Sequence, residues 1–230
     1  MSGRLEDRRV LVTHAERYIG PPVVELFRRE GADVIADQSE YADPSTVQEV
    51  VERAGRIDVL VANFAGPPHI MPVTNMLTDA TAFEDEDFEA YLQELVWPLL
   101  RIVRATLPQM IERRSGKIVG VTSATRLRAI PGLSVYSAAR GAQNAFVQVV
   151  GNEVAAHNVQ FNAIGPAHIA NNMYYTSEML EDEEVREQFV SEIPAGRIGE
   201  GEEAAELALA TDASDFLAGQ VIPISGGWVT

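Results

Sequence analysis

The chain of 230 residues contains no cysteine, and this absence excludes disulfide bonds, a thiolate nucleophile and cysteine-ligated metal sites. Its four histidines are scattered and lack the short spacings of a metal site. No apolar run reaches the roughly 18 residues of a membrane span, and the polar start from Met1 to Asp7 is unlike a signal peptide. We therefore expect a cytoplasmic protein without a bound metal.

Basic residues are also scarce. The chain has 18 lysine and arginine residues against 34 aspartate and glutamate residues, which gives a net charge of −16. This charge opposes nonspecific binding to nucleic acid and to anionic membranes, so neither is an expected partner. The hydrophobic fraction of 46% and the charged fraction of 23% are typical of a globular protein. The length is about 1.5 times that of a typical domain, and we expect one domain over residues 1–230.

Short runs rich in valine and isoleucine alternate with longer amphipathic stretches, as expected for a βαβ array. Nearly continuous apolar runs are typical of strands buried on both faces. The sequence therefore predicts an α/β fold, a Rossmann-like doubly wound parallel sheet with helices on both faces. The predicted strands are residues 9–13, 33–37, 57–62, 117–122, 159–164 and 220–224, and the predicted helices are residues 20–30, 44–55, 84–113, 134–157 and 202–210.

The expected ligand crevice of such a sheet lies beyond the carboxyl ends of its strands. This rule selects the segments that follow four of the predicted strands, namely residues 13–20, 63–66, 123–128 and 165–172. Residues 166–200 are too long for a plain connection and contain several aromatic and methionine side chains. We expect them to form a cap over the crevice.

Three side chains that could act together follow the fourth predicted strand. Ser123 comes at its end, Tyr136 follows thirteen residues later, and Arg140 lies four residues beyond on the same predicted helix face. A phenol has an ordinary pKa of about 10, and a nearby fixed cation lowers the pKa of a phenol because it stabilises the phenolate. Tyr136 could then accept the proton of a substrate hydroxyl that Ser123 holds.

Over essentially its whole length the sequence resembles the short-chain dehydrogenase/reductase superfamily. Besides Ser123, Tyr136 and Arg140, the resemblance rests on Asp58 to Gly66, on Ile164-Gly165-Pro166 and on Gly219 to Gly227. The nicotinamide-binding members carry the pattern T-G-x3-G-x-G after the first strand, because glycines let the backbone approach the pyrophosphate.

The corresponding stretch departs from that pattern. Between Thr13 and Gly20, the first two glycines are replaced by His14 and Tyr18. We expect the Tyr18 ring to fill the volume of a dinucleotide, and the Cβ atoms to exclude a positive φ at both positions. The sequence thus predicts no cofactor. Asp37, at the end of the second predicted strand, could be the acid that binds the ribose of NAD, or a leftover or helix-terminus residue.

A cofactor-free Ser-Tyr-Arg set with an aromatic in the former glycine loop resembles the halohydrin dehalogenases. That resemblance implies a halide site at Pro166, Ala167, His168 and Ile169, with Tyr18 opposite. Backbone N–H groups at a strand end and an aromatic edge can bind an anion. His168 could contribute its imidazole or, as we favour, only its backbone.

The implied activity is that of a carbon–halide lyase, which converts vicinal haloalcohols to epoxides and halide and reversibly opens epoxides with azide, cyanide or nitrite. The resemblance also implies a homotetramer formed through the helices at 84–113 and 134–157. Two alternatives remain open. They are an NAD(P)-dependent alcohol dehydrogenase with a degenerate glycine loop, and a non-catalytic sensor of a small ligand.

The remaining pocket residues are less defined by the sequence. Trp228 could reach an active site, but terminal packing is the simpler expectation. The candidate lining of an apolar pocket is Phe64, Pro67, Thr125, Leu127, Ile130, Met173 and Tyr174.

Overall fold

The computed structural model describes residues 3–66 and 80–229. Within them the chain forms one parallel sheet of six strands in the order β2-β1-β3-β4-β5-β6. The strands are β1 (Arg9–Val12), β2 (Asp33–Ala36), β3 (Val59–Asn63), β4 (Gly116–Val121), β5 (Val159–Pro166) and β6 (Val221–Ile224). Every residue of the central strands β3, β4 and β5 is buried, which explains their nearly continuous apolar sequence.

The helices cover both faces of this sheet. Helix α1 packs on α8, and α2 packs on α4. The helices are α1 (Gly20–Arg29), α2 (Pro44–Ala54), α3 (Asp85–Tyr91), α4 (Trp97–Arg113), α5 (Ser134–Ala155), α6 (Ser177–Glu181), α7 (Glu183–Ser191) and α8 (Gly201–Ala210). No helix of the described residues is long and apolar enough to cross a membrane. The α/β Rossmann-like fold that the sequence predicts is confirmed.

The predicted helix at 84–113 is interrupted in the structure. A π-helical turn, Leu92–Val96, separates α3 from α4, and the N–H of Trp97 donates to the carbonyl of Leu92. Pro98 follows directly and has no N–H to donate. Apolar periodicity does not register the change from one helical pitch to another over a single turn.

The strand order places the crevice. The chain runs from β1 outward to β2 and then returns to β3 on the other side of β1, so the order reverses between β1 and β3. Ligands bind at such a reversal, beyond the carboxyl ends of the strands. The segments 13–20 and 63–66 lie at this point.

The segment after β5 contributes to the same end of the sheet. Ile169 pairs with Gly199 in an isolated parallel bridge, so the two ends of the segment 169–199 lie side by side. Helices α6 and α7 lie between them, and Val185, Gln188 and Phe189 of α7 line the cavity described below.

Candidate active site

A cavity of about 310 Å³ lies at the carboxyl ends of the strands. Seven of the eight sequence-predicted site residues line it, namely Tyr18, Ser123, Tyr136, Pro166, Ala167, His168 and Ile169. The eighth, Arg140, is completely buried behind Tyr136. The structure therefore brings all eight residues together.

Ser123 follows β4 and begins a short 3₁₀ turn, Ala124–Leu127. Its Oγ accepts a hydrogen bond from the N–H of Thr125 at 3.1 Å and shares a second one with Thr125 Oγ1 at 2.9 Å. When Thr125 donates in both, the Ser123 hydroxyl proton is free to point at a ligand in the cavity.

Tyr136 and Arg140 lie one turn apart on α5, and the predicted contact is present. The Nε of Arg140 donates to the Tyr136 hydroxyl at 3.0 Å. The remaining guanidinium nitrogens donate to Gln143 Oε1 at 2.9 Å, to the Phe64 carbonyl at 3.2 Å and to the Tyr174 hydroxyl at 2.9 Å. Among the described residues, Arg140 forms no ion pair.

Arg140 is therefore a buried cation whose acceptors are all uncharged. Burial by itself lowers the pKa of its guanidinium, but the adjacent hydroxyls of Tyr136 and Tyr174 raise that pKa above the ordinary value, and the second effect is the larger. The group stays charged. A fixed positive charge beside two phenols favours any step in which a phenolate or alkoxide forms nearby.

The loop after β1 contradicts one expectation from the sequence. His14 and Tyr18 both adopt the left-handed region, with φ of 43° and 54°, so the expectation that a side chain excludes positive φ here is wrong. This conformation costs roughly 1–2 kcal/mol per residue. Tertiary hydrogen bonds offset the cost: Asn63 Nδ2 donates to the carbonyls of His14 and Arg17, and the Tyr18 N–H donates to Asn172 Oδ1.

Position 20 requires glycine for a steric reason. A Cβ there would lie 2.6 Å from the His14 carbonyl oxygen and 2.7 Å from that of Ala15. The backbone therefore approaches itself closely at Gly20, and side chains stand at positions 14 and 18, where the dehydrogenase pattern has glycine.

Both side chains pack against aromatic neighbours, and only Tyr18 lines the cavity. The Tyr18 ring lines the cavity and packs edge-on against Tyr174, with 5.0 Å between ring centroids. The His14 ring packs between Tyr41 and Phe64, at 5.3 and 5.2 Å. Burial lowers the pKa of His14 to about 4, so its imidazole is neutral at pH 7.

The carboxylate of Asp37, at the carboxyl end of β2, already has partners within this chain. It accepts hydrogen bonds from the N–H and Oγ of Ser39 and from the Tyr41 hydroxyl, and it forms an ion pair with Arg53. Together with His14 and Tyr18, this arrangement does not offer the bare backbone and free carboxylate that hold a dinucleotide in this fold. The residues present do not fit that cofactor.

The segment Pro166–Ile169 offers fewer amide donors than its length suggests. Pro166 has no N–H, and the N–H of Ala167 donates to the Ile224 carbonyl at 3.0 Å. The N–H groups of His168 and Ile169 donate to no acceptor within the part of the chain that the structure describes. His168 has a φ of 55°, a conformation that turns successive N–H groups to one side.

The His168 imidazole also lines the cavity. Its Nδ1 is hydrogen-bonded to the Tyr175 hydroxyl at 3.1 Å, and its Nε2 has no partner among the described residues. Burial lowers the pKa of His168 to about 4. The ring is therefore neutral at pH 7, and either nitrogen can carry the proton.

Trp228 lies in the cavity wall. Its ring packs edge-on against His168 at 4.9 Å, and the guanidinium of Arg128 lies 4.8 Å from the ring centroid. Simple terminal packing was the expectation from the sequence, and the structure instead places this side chain at the pocket of its own chain.

The other lining residues were partly predicted. Thr125, Ile130 and Tyr174 line the cavity, whereas Phe64, Leu127 and Met173 do not, and Pro67 lies outside the described residues. Tyr175 and Phe189 belong to the segment 166–200 that the sequence predicts as a cap, and the structure adds that both line the cavity. Sequence reasoning missed the hydrogen bond between Tyr174 and Arg140. The aromatic pair at 174 and 175, directly after the selected segment 165–172, was the available signal. No cluster of His, Asp or Glu in the described residues could hold a metal ion.

Comparison with known proteins adds family information. The family model described as enoyl-(acyl carrier protein) reductase matches residues 36–229. The chain is 33% identical to a 3-oxoacyl-(acyl-carrier-protein) reductase of Thermotoga maritima, over 98% of this chain and 99% of that protein.

Two solved structures are also similar. One, described as a dehalogenation enzyme, has a TM-score of 0.87 at 28% identity and covers 98% of this chain and 99% of its own. The other is a gluconate 5-dehydrogenase from Burkholderia cenocepacia in complex with NADP and tartrate. Its TM-score is 0.85 at 25% identity, over 98% of this chain and 96% of its own.

Proposed function

Within the short-chain dehydrogenase/reductase family, to which this chain belongs, we propose that it acts as a cofactor-independent halohydrin dehalogenase. It converts a vicinal haloalcohol to an epoxide and halide, and in reverse it opens an epoxide with a small anion such as azide, cyanide or nitrite. The observation that carries the proposal is the Tyr18 ring, which lines the cavity from a position where dehydrogenases of this family have glycine. The similarity to a dehalogenation enzyme supports the same reading.

The proposed chemistry needs a base, a held oxygen and a place for the departing anion. Ser123 holds the substrate hydroxyl, and Tyr136 accepts its proton as the general base beside the fixed charge of Arg140. The alkoxide oxygen then forms a bond to the adjacent carbon, and the carbon–halogen bond breaks with its electron pair on the halide. The displacement is intramolecular, so the protein contributes mainly alignment, proton removal and stabilisation of charge.

The halide leaves toward the loop after β5. The N–H groups of His168 and Ile169 and the positive edge of the Tyr18 ring are the donors proposed for it. The net charge of −16 works against an anion, so these local groups act against the field of the whole molecule. Halide binding is therefore weak, which favours product release.

A second candidate function is an NAD(P)-dependent reductase of the same family. It is favoured by the 33% identity to a 3-oxoacyl-(acyl-carrier-protein) reductase and by an acidic residue, Asp37, at the end of β2. The side chains of His14 and Tyr18 in the loop after β1, and the hydrogen bonds that the Asp37 carboxylate already accepts, argue against it.

Halide release separates the two functions. The purified chain is incubated with 2-bromoethanol or 1,3-dichloro-2-propanol without nicotinamide, and free halide and acid are followed. We expect turnover with the original chain, and halide release slowed about 100-fold or more with a Tyr136→Phe variant. In parallel, NADH and NADPH are titrated against the protein by fluorescence. Micromolar binding of either, with no halide release, would replace the dehalogenase proposal with the reductase.

We also propose that the chain assembles as a homotetramer through α4 and α5. A groove of about 560 Å³ runs between these helices and is lined by Trp97, Leu100, Leu107, Phe146 and Val150 among others. Trp97 is 42% exposed in the single chain, which is a large apolar surface to leave in water.

A further inference from the structure

The guanidinium of Arg140 donates hydrogen bonds to two phenols, and one of them, Tyr174, is not part of the Ser-Tyr-Arg set. Its Nε donates to Tyr136 at 3.0 Å, and its Nη2 donates to Tyr174 at 2.9 Å. These nitrogens are neighbours on one planar group, so both phenol oxygens are drawn to the same end of the cavity. Tyr174 arrives from the segment after β5, whereas Tyr136 belongs to α5.

The Tyr174 hydroxyl has a defined hydrogen-bonding role. Besides the bond from Arg140, its oxygen accepts one from the N–H of Gly66 at 2.7 Å. A phenolic oxygen has two acceptor positions and one proton to donate. Both acceptor positions are occupied, and the proton has no acceptor among the described residues. Within the described part of the chain, the hydrogen bond still open to this hydroxyl is therefore one that it donates.

Tyr174 remains a donor at neutral pH. Burial raises its pKa above the ordinary value of a phenol, an effect that Arg140 and the Gly66 N–H only partly oppose. Its side chain lines the same cavity as Ser123 and Tyr136, and its ring packs against Tyr18. A protonated hydroxyl, polarised by a cation and a peptide N–H, thus borders the space where a substrate oxygen would lie.

We propose that Tyr174 is a further catalytic residue, whose hydroxyl donates a hydrogen bond to the substrate oxygen that Tyr136 deprotonates. This inference rests on the proposed function. As the proton moves from the substrate to Tyr136, negative charge develops on the substrate oxygen and the bond from Tyr174 strengthens. In the reverse direction Tyr174 donates to the epoxide oxygen while the anion attacks carbon, the carbon–oxygen bond breaks, and Tyr136 returns its proton to the alkoxide.

The first test compares Tyr174→Phe with Tyr91→Phe. Tyr91 is a matched control because its hydroxyl is buried without a partner among the described residues, its ring packs 5.6 Å from that of Tyr136, and it does not line the cavity. With 2-bromoethanol we expect kcat of Tyr174→Phe to fall about 100-fold, as on loss of an oxyanion donor, and KM to change much less. We expect Tyr91→Phe to keep the original kcat. Equal kcat values for the two variants would overturn the proposal.

A second test separates donation from a structural role, because Tyr174→Phe also leaves Arg140 and Gly66 without an acceptor. Binding of 4-nitrophenolate, followed by its absorbance, reports oxyanion donors without any turnover. We expect Tyr174→Phe to bind it at least about 10-fold more weakly than Tyr91→Phe does. Replacement of Tyr174 by 3-fluorotyrosine keeps the hydroxyl and makes it a stronger donor, so the probe should bind more tightly with the unfolding temperature unchanged.

The outcomes distinguish the two proposals. The protein could release no halide from any haloalcohol and still bind 4-nitrophenolate in a way that depends on Tyr174. This result would refute the dehalogenase function but keep Tyr174 as a donor to a ligand oxygen. A protein that releases halide could also fail to bind the probe, or bind it equally well after Tyr174→Phe and after fluorination. Either result would keep the dehalogenase function and remove the proposed role of Tyr174 as a hydrogen-bond donor.

Discussion

Replacement of Tyr136 by phenylalanine tests the centre of the proposed mechanism. The variant keeps the ring, and with it the edge contact to Tyr91 at 5.6 Å and the tilted contact to Tyr174 at 6.1 Å. It removes the oxygen that accepts from Arg140 Nε at 3.0 Å. Without a group to take the proton of the substrate hydroxyl, we expect bromide release to fall by about 100-fold or more.

The same change has a cost in stability that follows from burial. Arg140 is completely buried, so its Nε–H is left without a partner and without water. A lost hydrogen bond to a charged buried group costs about 2 kcal/mol, which in a chain of this length lowers the unfolding temperature by roughly 4–8 °C. The measurements are bromide release at pH 8 and thermal unfolding followed by circular dichroism.

Tyr41→Phe is the matched control for this prediction. It removes a buried phenol that donates to the Asp37 carboxylate at 2.7 Å, outside the cavity. We expect a comparable loss of stability with bromide release unchanged. A Tyr136→Phe variant that is folded and retains more than about one tenth of the original activity would show that Tyr136 is not the base, since removal of a general base costs about 100-fold or more.

Three further predictions concern pH, halide affinity and assembly. The pKa values of His14 and His168 are lowered to about 4, so the unfolded chain binds more protons than the folded one between about pH 6.5 and 4, and stability falls as the pH falls through that window. We expect each histidine to lower the free energy of unfolding by up to about 3 kcal/mol across this window. In urea unfolding at pH 7 and 4.5, a His14→Leu variant should show a smaller pH dependence of stability than the original chain. Trp228 packs on His168, so its fluorescence in a Trp97→Phe variant should respond to bromide only at high concentration, and submicromolar binding would contradict the proposed weak halide site. Light scattering should give four times the mass of one chain, and Val150→Glu in the groove between α4 and α5 should give smaller species; a monomeric original chain would refute the assembly.

Much of the fold follows from local patterns in the sequence. The six predicted strands each overlap an observed strand, with ends that differ by at most two residues, as at 57–62 against Val59–Asn63. Apolar runs predict buried strands well because the same residues must avoid water on both faces. The π-helical turn at Leu92–Val96 was not predicted, since it changes the hydrogen-bond ladder without changing the apolar pattern.

The candidate site divides in the same way. Tyr136 and Arg140 could be paired from the sequence, because a spacing of four on a helix places two side chains on one face. The bond between Arg140 and Tyr174 spans 34 residues, and no local spacing predicts it. Terminal packing was the simpler expectation for Trp228, because its contact with His168 joins two segments that lie far apart in the sequence.

His14 and Tyr18 separate what the sequence determines from what the tertiary structure determines. The sequence by itself determined that side chains stand where glycines would leave bare backbone, and hence that the crevice after β1 is partly filled. Only the tertiary structure decided that the backbone keeps its left-handed shape there, that Asp37 is already bonded to Ser39, Tyr41 and Arg53, and that Arg140 has no charged partner among the described residues. The physical reason is that Asn63 and Asn172 supply the hydrogen bonds that hold the loop, and they lie far along the chain from the residues they stabilise.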